Sequence, residues 1–395
     1  MKVAVLMGGK SFEREVSLAS GKVVCEALEE AGHKVVPLDT NADLVPTLRS
    51  ERPDVVYNAL HGKHGEDGTI QSLLEFLGIP FVGSPASVCH RAWNKDALHS
   101  SLAKYRDLTG EEGCASWPQG VYLARDAFKG MGAATALDMV ADRVIGGYPV
   151  CVKPAHGGSA LGVHKVKSQE ELGEAVLDAL SYDEAVNIEQ WVDGVELSVS
   201  ILGTGWDAHA LPPVEIVARE GFYDAAARMA DDAVEFFCPV RDESLSPNAA
   251  DAQAIRAEIE RAALEVYRAY SVRDLGRVDL IWDGGAARCF EVDVSPGMTE
   301  RSLFPMACAA VPDEVDAPEI AHAVGAVDFQ RRGRPVAARG ARHARERGLR
   351  PRCLFLGSHG LRFSLRDFLI YDELQLVYRK VSNEQREPPR GALRL

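Results

Sequence analysis

Several common signatures are missing from this 395-residue chain. Its eight cysteines form no CxxC pair; Cys25, Cys89, Cys114, Cys151, Cys238, Cys289, Cys308 and Cys353 are scattered. That spacing gives neither a zinc knuckle nor a disulfide framework, and it fits a reducing cytoplasmic setting. No stretch approaches the ~20 apolar residues of a membrane span. The apolar start Val3–Met7 is too short for a signal-peptide core and reads as a first buried strand. There is no Walker A loop: Gly9-Lys10-Ser11 ends like one, but Ala4 stands where its first glycine belongs. No GxGxxG follows the first strand and no GxSxG elbow stands out. A P-loop NTPase and a Rossmann dehydrogenase both lose ground. Positive charge is scarce as well. A formal net charge of −14 argues against non-specific nucleic-acid binding. The imbalance is uneven. Residues 1–310 hold 28 Lys and Arg against 47 Asp and Glu, and residues 311–395 hold 16 against 11, with 15 of those 16 being Arg. The tail is a different kind of sequence.

The length suggests two to four domains. The first ~90 residues alternate strand and helix: strands at Val3–Met7, Val35–Leu38, Asp54–Leu60 and Pro80–Val82, and helices at Ser17–Glu30 and Thr69–Leu77. This alternation predicts an α/β fold with a parallel sheet. A second block has a helix at Lys95–Lys104, a strand at Val150–Lys153, the loop His156–Gly162, a strand at Val163–Val166 and a helix at Glu170–Ala179. Its glycine-rich loop caps a hairpin and opens no helix. A third block has strands at Asn187–Trp191 and Glu196–Leu202, a long amphipathic helix at Ala249–Tyr270, and strands at Val278–Trp282 and Ala287–Val294. The last two meet around Asp283-Gly284-Gly285, a hairpin signal. The expected divisions are 1–94, 95–185, 186–310 and 311–395.

Side chains alternate across a strand, so residues two apart share a face. Arg277 and Asp279 share one face, and Glu291 and Asp293 share another. Folding the hairpin brings three carboxylates and a guanidinium onto one polar surface. Alone, this also suits a solvated face. Three carboxylates repel unless cations neutralise them, and Mg²⁺ with phosphate oxygens does so. Upstream, Lys153 ends an apolar strand, and a buried ammonium needs a partner. The loop His156–Gly162 can fold backbone N–H groups over phosphates, with Ser159 adding a hydroxyl. Lys95 is a second candidate phosphate lysine, although taken alone it reads as a surface lysine. His61, His64, Glu66 and Asp67 sit among Gly62, Gly65 and Gly68, which predicts a mobile loop before a rigid zinc cage.

These residues resemble the D-alanine–D-alanine ligases of the ATP-grasp superfamily. The resemblance rests on Gly8–Ser17, His61–Gly68, Gly276–Asp279, Glu291–Thr299, and Ser302, Leu303 and Pro305, in family order across residues 1–310. It implies an N-terminal α/β substrate domain followed by two ATP-grasp subdomains that clamp ATP. It implies that Lys95, Lys153 and Arg228 contact ATP, that Glu189, Gln190 and Val192 line the adenine pocket, and that Glu196 takes the ribose. Asp279, Glu291 and Asp293 would ligate two Mg²⁺ or Mn²⁺ ions. Glu13 would anchor the first D-alanine with Ser159 nearby. Arg277 and the Gly297 N–H would stabilise the oxyanion, and Ser302 with Leu303 would receive the second substrate. Phe222–Met229 resembles the family's mobile loop. The implied product is the D-alanyl-D-alanine dipeptide of peptidoglycan, made through a D-alanyl phosphate by a cytoplasmic homodimer with neither membrane nor nucleic-acid partner.

Three positions depart from the family pattern. Asp293 replaces the usual Asn, Arg228-Met229 replaces Lys-Tyr, and Ala160 replaces a second Ser. In the family, changes at Lys-Tyr accompany D-lactate or D-serine as second substrate, so those ligases are the alternative reading, beside another ATP-grasp amino-acid ligase. After about Ala310 the resemblance stops. Residues 331–352 hold nine Arg and one acid. We expect this tail to be non-family sequence that stays off the core, with a basic surface-binding tail as the second reading.

Overall fold

The apolar run near the N-terminus splits by parity between two cores. In β1 (Lys2–Met7), Val3 and Val5 face one cluster and Ala4 and Leu6 the other, all nearly inaccessible. A strand buried on both faces is what a parallel sheet with helices on each side requires. β1 pairs in parallel with β2 (Lys34–Asp39) and β3 (Val55–Asn58) on either side. Helix α1 (Arg14–Glu30) covers one face through Val24 and Leu28. Helices α2 (Leu44–Glu51) and α3 (Thr69–Leu77) cover the other through Leu44, Leu48, Ile70 and Leu74. The strand expected at Pro80–Val82 is a single parallel bridge, Val56 to Phe81. The computed structural model describes residues 1–311 except 133, 134, 136, 138, 139, 141–146, 220 and 231. The expectation for the tail, Val311 apart, falls outside the described residues.

Helices α4 (Ala86–Trp93) and α5 (Ala97–Thr109) lead to β4 (Ala115–Ser116). A second sheet follows. β5 (Gly120–Ala124), β6 (Val150–Pro154), β7 (His164–Val166) and β8 (Ala185–Gln190) form an antiparallel sheet in the order β5-β8-β6-β7. The helix Gln169–Tyr182 seals it, placing Leu172, Ala175, Val176 and Ala179 on Val150, Val152, Val186 and Ile188. The glycine-rich loop joins β6 to β7 as a hairpin, as its sequence predicts.

The third sheet holds β9 (Val195–Leu202), β10 (His209–Ala210), β11 (Val214–Ala218), β12 (Val234–Phe237), β13 (Leu275–Trp282) and β14 (Ala287–Asp293). Its order is β12-β11-β9-β13-β14-β4, with β10 on β9. The helix Ala249–Tyr270 runs over it and buries Ile259, Ala262, Val266, Tyr267 and Tyr270 with Leu98 and Leu102 of α5. Thus α5 and β4 pack with the third sheet although they precede the second in sequence. A final helix, Leu303–Ala309, inserts Leu303, Phe304, Ala307 and Cys308 between the first and third sheets, in one core with Val3, Val5, Leu202 and Val214.

Candidate active site

A cleft of about 910 Å³ opens between the sheets. Glu13, Lys95, Lys153, Glu189, Gln190, Val192, Glu196, Arg228 and Glu291 line it. Arg277, Asp279, Asp293, Gly297, Ser302 and Leu303 do not line it directly. The β13–β14 register connects the first three of these to it by setting Asp279 opposite Glu291 and Arg277 opposite Asp293.

The polar face foreseen for this hairpin forms, and it is buried. Arg277 donates from Nε and Nη2 to Asp279, at 2.8 and 2.9 Å, and its Nη1 lies 3.0 Å from Asp293 Oδ2. Ser198 Oγ donates to Asp279 Oδ1 at 2.7 Å, and the Ser295 N–H donates to Asp293 Oδ1 at 2.9 Å. Glu291 Oε1 is 3.0 Å from Lys95 Nζ. Burial opposes ionisation of all three acids. Arg277 and Ser198 outweigh it at Asp279, and Lys95 outweighs it at Glu291, so both pKa values lie below the usual range. At Asp293 burial wins and the pKa is raised. Among the described residues, no group of three or more His, Cys, Asp or Glu side chains is arranged to hold a metal ion. The reason is local: Arg277 stands between Asp279 and Asp293, and Lys95 takes Glu291. The donor chemistry nevertheless suits a hard dication, since Asp279 and Glu291 offer opposed oxygens and Mg²⁺ needs only one or two carboxylates beside phosphate.

Both candidate phosphate lysines sit deep. Lys153 is 4% exposed, pairs with Glu189 Oε1 and lies 5.5 Å above the Phe290 ring. Desolvation lowers its pKa, but Glu189 reverses the shift and keeps it charged. Lys95 precedes α5 and donates to the Gly157 carbonyl. In the loop that joins β6 to β7, Ser159 and Ala160 adopt φ of 53° and 55°. Consecutive left-handed residues turn successive amides toward one side, a geometry suited to an anion.

Ser159 Oγ donates to Glu13 Oε1, joining this loop to the N-terminal domain. Phe12 meets Tyr182 edge-on beside it, with centroids 6.4 Å apart. Burial, then Glu66, raises the Glu13 pKa against the pull of Ser159, His61 and Arg228. His61 Nδ1 lies 3.4 Å from Glu66 Oε1. Burial disfavours the charged imidazole, but Glu66, with Asp293 and Glu13 beyond it, raises its pKa overall. Sequence reading treats His61 and Glu66 as part of a mobile loop in preference to a zinc site. Their pairing across a glycine-rich loop has no periodic signal.

Arg228 stacks 4.3 Å from the Tyr223 ring, and its buried Nε has no hydrogen-bond partner. Trp191 and Phe222, which sequence reading left unassigned to the pocket, meet edge-on at 5.2 Å and also line the cleft. Beyond β14, the Thr299 N–H donates to Ser302 Oγ at 3.0 Å. A Cβ on Gly297 would come within 2.8 Å of that oxygen, so a larger residue there would push the Ser302 hydroxyl aside.

Comparisons with known proteins point to one family. The family model described as D-ala D-ala ligase C-terminus matches residues 128–315, and D-ala D-ala ligase N-terminus matches residues 42–84. A D-alanine–D-alanine ligase of Bordetella petrii is 39% identical over 312 residues, 78% of this chain and 87% of that protein. One of Bordetella avium is 40% identical over 311 residues, 78% and 90% respectively. The VanG D-Ala:D-Ser ligase of Enterococcus faecalis superposes with TM-score 0.60 at 25% identity, covering 77% of this chain and 93% of its own. A D-alanine–D-alanine ligase of Bacillus anthracis complexed with ATP gives 0.58 at 27%, covering 78% and 90%. With its motifs, three sheets and family matches in agreement, this chain belongs to the D-alanine–D-alanine ligase family and has the ATP-grasp fold.

Proposed function

We propose that this protein joins two D-alanines at the expense of ATP, releasing ADP and phosphate and supplying the dipeptide of peptidoglycan. The observation that carries this reading is the convergence of Lys95, Lys153, the Ser159 loop and Glu291 on one deep cleft, with Arg277 held rigidly behind it. A carboxylate is a poor electrophile, and phosphorylation gives it a leaving group. Lys95 and Lys153 would hold the ATP phosphates, and the loop amides would cover them. Glu189, Gln190 and Val192 would frame the adenine, and Glu196 the ribose. Asp279, Glu291 and Asp293 would supply the oxygens that hold divalent ions, Mg²⁺ or Mn²⁺, two per site. Bound there, such ions would spread the negative charge of the transferring phosphoryl group. Glu13 would fix the first ammonium. The second D-alanine, set by Ser302 and Leu303, would attack through its neutral amine. Arg277 and the Gly297 N–H would meet the negative oxygen of the tetrahedral intermediate. Closing the cleft would keep water from the acyl phosphate.

Arg228-Met229 favours a second reading, with D-lactate or D-serine as acceptor. Phosphate release with ATP, Mg²⁺ and D-alanine, compared with added D-lactate or D-serine, separates the two. Turnover with D-alanine alone is the expected result, and its absence would sink the main reading. The cytoplasmic homodimer is carried over from the family; light scattering of the purified chain tests the dimer. Among the described residues no helix is long and apolar enough to cross a membrane.

A further inference from the structure

Helix α1 carries polar side chains where an amphipathic helix would bury apolar ones. Glu13, at its N-terminal cap, Ser17 and Ser20 are spaced i, i+4 and i+7, one above another on a single face. Both serines are completely inaccessible. Ser17 has a structural explanation: its Oγ accepts the Gly8 N–H at 2.9 Å and donates to the Ala59 carbonyl at 2.8 Å. Ser20 does something different. Its Oγ lies 3.0 Å from His61 Nε2 and accepts the Met298 N–H at 3.2 Å. The opposite edge of the same ring lies 3.4 Å from Glu66.

We propose that Ser20 is a positioning residue of the ligase site: its hydroxyl ties the His61–Glu66 pair to the Pro296–Thr299 turn that carries Gly297. The inference rests on the function proposed above and adds a residue to it. The hydrogen bonds can all run one way. Met298 N–H donates to Ser20, and with a neutral imidazole Ser20 O–H donates to His61 Nε2 while Nδ1–H points at Glu66; a charged imidazole donates from both nitrogens and Ser20 accepts, which leaves the tie in place. Turning the Met298 N–H inward fixes the peptide plane between Gly297 and Met298 and restrains the preceding one, which holds the Gly297 N–H. An oxyanion donor acts through its aim, so anchoring the turn from α1 sets that aim. The same anchor orients the imidazole beside Glu13. Ser20 is fully buried and does not line the cleft, so it acts through its two partners.

The test is a double-mutant cycle in the full-length enzyme, read by phosphate release and thermal unfolding. Ser20→Ala preserves volume and is expected to lower kcat by ~10- to 100-fold, as a misaimed group does. Its KM for ATP should stay within about two-fold, because the nucleotide end of the cleft is unaltered. Ser20→Ala combined with His61→Gln should be little slower than the slower single variant, since both break one chain. A Ser20→Ala enzyme with wild-type kcat would overturn the proposal, as would strictly multiplicative losses in the double variant. Should Ser20→Ala not fold, Ser20→Cys keeps the size with a much weaker hydrogen-bonding group and carries the same test. Wild-type enzyme without turnover would count against the ligase reading itself, which keeps the two failures distinct.

Discussion

Arg277 binds two carboxylates at once, and that arrangement decides what each acid can do. Glu291 is the acid that reaches the cleft, so Glu291→Ala should abolish ATP-dependent phosphate release; normal turnover would contradict the metal assignment. Asp293 is the family departure, and its two oxygens are engaged by Arg277 and the Ser295 N–H. Asp293→Asn can keep one of these bonds and removes a charge that burial already disfavours. It should retain turnover within about ten-fold, the scale of one charged hydrogen bond. Glu196 offers a pH prediction. Burial raises its pKa to about 7 against Arg228. The folded protein therefore keeps a proton that the unfolded chain loses near its ordinary value of 4.5. Stability must fall as pH rises from that value to about 7. Glu196→Gln should raise the melting midpoint above pH 7 and change little near pH 4; an identical shift at both would refute the assignment.

At the scale of elements, the connection between β8 and β9 bears directly on the cleft. A Cβ on Gly194 would lie 2.2 Å from the Trp282 carbonyl oxygen, a backbone atom held in β13. Gly194→Ala should lower stability by about 2 kcal/mol and raise the KM for ATP, measured by denaturant unfolding and initial rates. The regular elements here were legible because their patterns are local. Alternation in β13 and β14 announced Arg277, Asp279, Glu291 and Asp293 on shared faces, and helix periodicity bounded α3 and Ala249–Tyr270 as observed. Two kinds of feature were not legible. Short strands such as β4 and β10 hold too few residues to show a period. Bonds such as Ser20 to His61 and Ser159 to Glu13 join distant segments, and no local pattern encodes them. We keep the divisions at 94/95, 185/186 and 310/311 as a proposal, noting that α5 and β4 pack on the third sheet.

At the scale of the molecule, the first and third sheets share a core through the helix Leu303–Ala309. Phe304 is inaccessible at its centre. Phe304→Ala should destabilise both lobes together by ~3–5 kcal/mol, seen as one cooperative transition moved to lower temperature. Separate melting of the two sheets would show that the helix does not couple them. The second sheet is tied to the first more lightly, by Ser159 with Glu13 and by Phe12 against Tyr182. Phe12 is 87% exposed, so Phe12→Ala should leave the melting temperature nearly unchanged. A slower kcat in that variant would identify the contact as part of closure.

The ion pairs of Lys95 with Glu291 and of Lys153 with Glu189 carry one more consequence. Both ammonium groups already have acidic partners, so a nucleotide entering the cleft exchanges partners more than it neutralises free charge. The balance of attraction and desolvation then depends on what the ligand gives back. A polyphosphate accompanied by its own cations can satisfy the lysines and the displaced carboxylates together. Adenosine, with no phosphate, can satisfy neither, and it leaves both pairs intact. Selectivity for a triphosphate over its nucleoside is thus built into the pairing, and because that exchange conserves charge contacts, ATP affinity should vary only shallowly with ionic strength.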